Sequence, residues 1–116
     1  MLAAGCSRGP LRVSAIQLGR ALGIDNSIAV HTTTFKTNET IYVSVLTETT
    51  GSGTIVARWT LAGRTVSEQT KNVSYSGAAA TEFHLQSADG FPPGQYMVQI
   101  LVDGKPIGER DFRVGG

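Results

Sequence analysis

The chain has 116 residues, ten Lys and Arg against nine Asp and Glu, a formal charge of +1, 41% hydrophobic residues and a single cysteine. A chain of this length suits one domain and buries about two-thirds of its unfolded surface, enough for a core without disulfide or metal. The charge balance lacks the clustered Lys and Arg of a nucleic-acid binder, no apolar run nears the ~20 residues that span a bilayer, and one cysteine excludes an internal disulfide or a zinc-finger array.

The chain begins Met1-Leu2-Ala3-Ala4-Gly5-Cys6-Ser7. This segment, with small residues up to Gly5 and then a cysteine, resembles the lipobox of bacterial lipoproteins. On that resemblance the small side chains let an extended backbone enter a peptidase, and the thiol of Cys6 takes a diacylglycerol. The resemblance implies lipidation at Cys6, anchoring at about 0.8 kcal/mol per buried methylene, and a domain facing the periplasm or the cell surface. A full signal carries a charged region and an apolar stretch of about 7–15 residues before such a box. Residues 1–10 are therefore expected to be a truncated signal remnant ending in the linker Arg8-Gly9-Pro10, and residues 11–116 the single domain.

Beyond the linker, period-two alternation recurs with turn signals roughly every 8–14 residues. A first strand is expected over 11–18, with one or two helical turns over 14–22 as the alternative, then a loop over 19–27. Residues 28–35 are β-rich. The clearest strand is 40–49, where Ile41, Val43 and Val45 alternate with Tyr42, Ser44 and Leu46. Gly51-Ser52-Gly53 reads as a break. In 54–61 the residues Ile55, Ala57, Trp59 and Leu61 share one face, and Ala62-Gly63 turns into 64–76, one long polar strand or two short ones. Residues 80–86 pair Phe83 with Leu85 ahead of a Gly- and Pro-rich loop over 88–94.

In 95–102, Tyr96, Val98, Ile100 and Val102 lie opposite Met97, Gln99 and Leu101. Asp103-Gly104 is a two-residue hairpin signal, since such turns require positive φ. The last strand, 105–114, buries Phe112 and Val114, with Gly108 a candidate bulge. Seven to eight strands without a helix-length periodic segment give an all-β antiparallel sandwich.

The stretch Gly94-Gln95-Tyr96-Met97-Val98 resembles the tyrosine corner of immunoglobulin-like sandwiches. On that resemblance Val98 stands at the second core cysteine, Val43 or Val45 at the first, and Trp59 at the core tryptophan of the C strand. The domain is then immunoglobulin-like or fibronectin-III-like without the disulfide, and Trp59, Tyr96, Val98 and Phe112 are its structural core. The position four before the tyrosine, usually acidic, is Pro92. The family implies binding, adhesion or spacing more often than catalysis, and the fold alone specifies no function.

Catalytic chemistry needs a nucleophile and an oriented base. His84, flanked by Glu82 and Gln86, belongs to an outer strand face; a triad with a serine of a neighbouring strand is conceivable on paper, and a solvated surface is the simpler reading. His31 sits in a threonine-rich strand. The acidic residues Asp25, Asp89, Asp103 and Asp111 are scattered over turns without calcium-loop spacing, and no glycine motif precedes a helix. No catalytic residue, metal or cofactor is expected. Asn38-Glu39-Thr40 and Asn72-Val73-Ser74 match the glycosylation sequon, as threonine- and serine-rich strands do by coincidence. Tyr42, Tyr75 and Phe91 are the aromatics available to a glycan platform.

One surface stands out. In the sandwich, strands C, F and G adjoin, and their outward residues are Val56, Arg58, Met97, Gln99, Leu101, Asp111 and Arg113. Apolar groups ringed by charge mark contact faces, so Arg58, Met97, Gln99, Leu101 and Arg113 form the candidate partner face. The expected function is a non-enzymatic, extracytoplasmic interaction domain whose partner is an envelope protein or a second copy. No nucleic acid or small-molecule ligand is expected, and membrane contact runs only through an anchor at Cys6. The alternatives are a structural spacer in an envelope assembly and a small-ligand or glycan-binding module.

Overall fold

A computed structural model describes residues 10–115, so the lipidation candidate Cys6 lies outside the described residues. Among those described there are nine strands and no helix: β1 Val13–Leu22, β2 Ile28–His31, β3 Thr34–Phe35, β4 Ile41–Thr47, β5 Gly51–Leu61, β6 Arg64–Tyr75, β7 Ala79–Leu85, β8 Gly94–Val102 and β9 Lys105–Val114. They form two sheets, one ordered β3-β9-β8-β5-β6 and the other β2-β1-β4-β7. Every strand pairing is antiparallel except β3 with β9. The result is the expected all-β sandwich.

Alternation decides which side chains meet between the sheets. Ile41, Val43 and Val45 of β4 face Ile55, Ala57 and Trp59 of β5 and Val98 and Ile100 of β8 across the core, all fully buried. Phe112 is the hub of an aromatic cluster. Its ring stacks on Tyr96 at 5.3 Å and 16°, and meets Trp59 and Phe35 edge-on at 6.0 and 5.5 Å. Such pairs add about 0.5–1.5 kcal/mol each beyond the area they bury. Trp59, Tyr96, Val98 and Phe112 are thus core residues, none more than 2% exposed.

Several boundaries differ from the sequence reading. The first strand runs on to Leu22, because the chain folds back through a tight turn at 23–27 and β2 pairs with β1. Gly19 permits this approach: a Cβ there would lie 2.1 Å from the Val30 carbonyl oxygen. The 28–35 segment is two strands, since the chain crosses between sheets at Thr32 and Thr33; the Thr32 hydroxyl accepts from the Thr34 amide at 3.1 Å. Gly51-Ser52-Gly53 begins β5 instead of breaking the chain, because all three pair with β6. At Gly53 the Asp103 carboxylate would sit 3.0 Å from a Cβ, a close approach that only glycine allows without displacement.

Residues 64–75 form one strand, not two. Both expected hairpin turns are present, with positive φ at Ala62 (51°) and Gly63 (83°) and at Asp103 (51°) and Gly104 (84°). The irregularity expected near Gly108 is there too, with the register of β9 against β8 shifting between Pro106 and Gly108.

Candidate functional site

The strands β5, β8 and β9 adjoin in the five-stranded sheet, as the C, F and G strands of the resemblance require. Their outward side chains fall into rows across the sheet. One row runs Glu68, Arg58, Gln99 and Glu109; the next runs Thr60, Met97 and Asp111. The Arg58 Nε donates to the Glu68 carboxylate at 2.7 Å, and its Nη1 donates to Gln99 at 3.4 Å. This pair is too exposed to add much stability, but with the Gln99 contact it ties the guanidinium to side chains on both neighbouring strands. Met97 is half-buried beside it, and Arg113 is exposed further along the neighbouring strand.

Leu101 departs from the expected face. Its parity is outward, yet it is only 7% exposed, because Val56 and Pro106 flank it as register partners on the two adjacent strands. The face is therefore more polar than its parity suggests: Arg58, Met97, Gln99 and Arg113 present to solvent, and Leu101 does not.

The corner and the core tryptophan are both tied by hydrogen bonds. The Tyr96 hydroxyl donates to the Pro92 carbonyl at 2.6 Å, the bond that defines a tyrosine corner. Burial raises the Tyr96 pKa above its ordinary value. The Trp59 indole N–H donates to Gln69 Oε1 at 3.1 Å, and Gln69 Nε2 donates across the sandwich to the His84 carbonyl at 2.6 Å. Lys71 repeats the crossing two residues on: its ammonium donates to the Glu82 carbonyl, lies 3.5 Å from the Glu82 carboxylate and sits over the Phe83 ring. The sequence reading of 64–76, one long polar strand or two short ones, singles out neither side chain. Uniform alternation from the turn points both side chains outward, and the extra residue Val66 reverses the parity of β6 against β5.

His84 is exposed on the outer face of the four-stranded sheet, as expected, with its Nδ1 3.1 Å from Glu82 and its ring against Tyr42. The serine opposite Glu82 is Ser44. Its hydroxyl is buried and donates to the Asn26 carbonyl at 2.7 Å, so these three residues form no relay. The turn that covers Ser44 is itself fixed. Asp25 accepts from the Ser27 hydroxyl at 2.6 Å and from its amide at 3.1 Å, which holds the Asp25 pKa below the ordinary carboxylate value.

The three candidate glycan aromatics do not share a surface. Phe91 is buried edge-on against Tyr96, Tyr75 bonds Thr81 between the sheets at 2.7 Å, and only Tyr42 faces outward. Among the described residues no three His, Cys, Asp or Glu side chains gather in metal-binding geometry. A shallow hollow of about 430 Å³ lies beside Asp25 and Glu48, and another of about 330 Å³ beside Leu11, Val102 and Ile107; neither holds a histidine.

No protein-family model and no curated protein matches the sequence. Solved structures do match in shape. An immunoglobulin-like protein from Pseudomonas aeruginosa superposes with a TM-score of 0.63 at 10% identity, over 94% of this chain and 99% of that one. The alkylpurine DNA glycosylase AlkC of Pseudomonas fluorescens, bound to DNA containing an abasic-site analogue, matches with a TM-score of 0.60 at 13% identity. A β-glucosidase from Listeria innocua in complex with glucose matches at 0.53 and 12%. The chain covers only 32% of the glycosylase and 16% of the glucosidase, so each likeness is to one part of a larger enzyme. At these identities the likeness is one of fold, and it agrees with the strand order, the tyrosine corner and the buried tryptophan: this chain is an immunoglobulin-like β-sandwich without a disulfide.

Proposed function

We propose that the domain is a non-enzymatic interaction module, lipid-anchored at Cys6 outside the cytoplasm in its native precursor, that holds a partner protein through the outer face of β5, β8 and β9. The observation that carries the reading is the row arrangement of that face. A half-buried Met97 is bordered by Arg58, Gln99, Asp111 and Arg113 on three adjacent strands, and Met and Arg are among the residues enriched at protein interfaces. The rigid sheet beneath keeps the ordering cost of binding low. Leu101 is not part of this contact set. The compartment rests on the sequence from Met1 to Ser7.

Two experiments test the reading. A photo-crosslinking residue at Gln99 should yield one discrete adduct in cells, and Met97→Asp in the same chain should abolish it. The same probe at Glu48, on the other sheet's side, should yield none. Equal adducts at both positions would reject the face. Intact mass and fractionation of the natively expressed protein should give a membrane-bound product beginning at Cys6 with added acyl mass. An unmodified cytosolic product would remove the anchor and the compartment.

A further inference from the structure

A sandwich of two open sheets has four edges, and each open edge is a row of unpaired amides and carbonyls that can template another strand. Three of them are blunted here. Strand β3 has two residues, and β2 has four with two register shifts. The edge strand β7 is capped from within its own chain, because Lys71 and Gln69 donate to the carbonyls of Glu82 and His84. The fourth edge, β6, runs twelve residues without a proline or glycine. Among the described residues no hydrogen bond from a side chain or loop reaches the main chain of 64–74 on its open side. The register shift opposite Trp59 and Thr60 confines the irregularity to Val66, so β6 pairs regularly with β5 from Ser67 on.

We propose that β6 pairs antiparallel with β6 of a second copy of this chain about a two-fold axis at Thr70, joining two five-stranded sheets into one of ten strands. Parity, charge and overlap together choose the register. A continuous sheet keeps outward residues opposite outward ones, so the axis passes through a residue and not between two. An axis at Lys71 would set two ammonium groups opposite each other, a destabilising arrangement. An axis at Thr70 sets Glu68 opposite Asn72, Gln69 opposite Lys71 and Ser67 opposite Val73, with no like charges facing. Axes at Gln69 and Asn72 also avoid like charges, but an axis at Asn72 overlaps less of the strand, and one at Gln69 lies nearer the Val66 irregularity than an axis at Thr70. The inward heads of Gln69 and Lys71 are already committed to the chain's own β7. A net charge of +1 gives two copies little mutual repulsion. The proposal is independent of the partner read onto the β5–β8–β9 face.

Sedimentation equilibrium of the whole domain, from micromolar to about 1 mM, reads the association directly. The expected result is a monomer–dimer equilibrium that Thr70→Lys weakens about fivefold or more by placing two cations at the axis. Glu48→Lys, distant from β6, should leave it unchanged. Thr70 is exposed on the outer face, so circular dichroism and Tm at micromolar concentration, where the chain is monomeric, should not change in T70K. Amide exchange on β6 should slow with rising protein concentration, while that on β7 stays constant. A monomer at every concentration, or a dimer indifferent to T70K, would overturn the proposal.

Discussion

Tyr96 is held by burial and by one bond from its hydroxyl to the carbonyl of Pro92. The spacing Gly94-Gln95-Tyr96 was legible in the sequence as a corner, and the absence of an acidic residue at position 92 was the apparent mismatch. It has no effect, because the acceptor is main-chain and every residue supplies one. Tyr96→Phe should cost about 1–2 kcal/mol, since it leaves that carbonyl without its partner, as measured by urea unfolding; an unchanged midpoint would reject the bond's role. Because burial raises the Tyr96 pKa, the folded state retains the phenol proton above pH 10 where the unfolded chain releases it. The stability from this group is therefore complete below pH 10 and declines as pH rises further. Tyr96→Phe should flatten that alkaline decline, and the slope of stability against pH between 9 and 11 reads it.

The β5–β6 hairpin shows what strand parity alone misses. The turn at Ala62-Gly63 pairs Leu61 with Arg64 and Thr60 with Thr65, but one extra residue, Val66, then shifts the register so that Trp59 faces Ser67. Uniform alternation from the turn would have placed Val66 inward; instead it is 51% exposed, and Gln69 and Lys71 take the inward positions. A bulge depends on how the strand must twist against its neighbours, which no local spacing encodes. The turn itself contains a residue under strain, Ala62 at φ 51°, where Asn is the favoured occupant. Ala62→Asn should raise stability by about 0.5–1 kcal/mol. Thermal unfolding reads this as a higher Tm, and an equal or lower Tm would contradict the strain.

For the whole molecule, stability converges on Phe112, which touches Tyr96, Trp59 and Phe35 and so ties together four adjacent strands of the five-stranded sheet, β3, β9, β8 and β5. Phe112→Ala should cost about 3–5 kcal/mol, a large share of the ~5–15 kcal/mol available to a domain; a loss below about 1 kcal/mol would show that the cluster is not the centre of the core. The sequence by itself determined the all-β class, the two hairpin turns and the buried residues Trp59, Tyr96, Val98 and Phe112. Alternation and positive-φ turn chemistry are local, and they read the same in any context. Tertiary structure decided the rest: the burial of Leu101 between Val56 and Pro106, the passage of 28–35 from one sheet to the other, and the capping of β7 by Gln69 and Lys71. Each of these depends on which strand lies beside which, and a free-energy balance over the assembled sheets makes that choice.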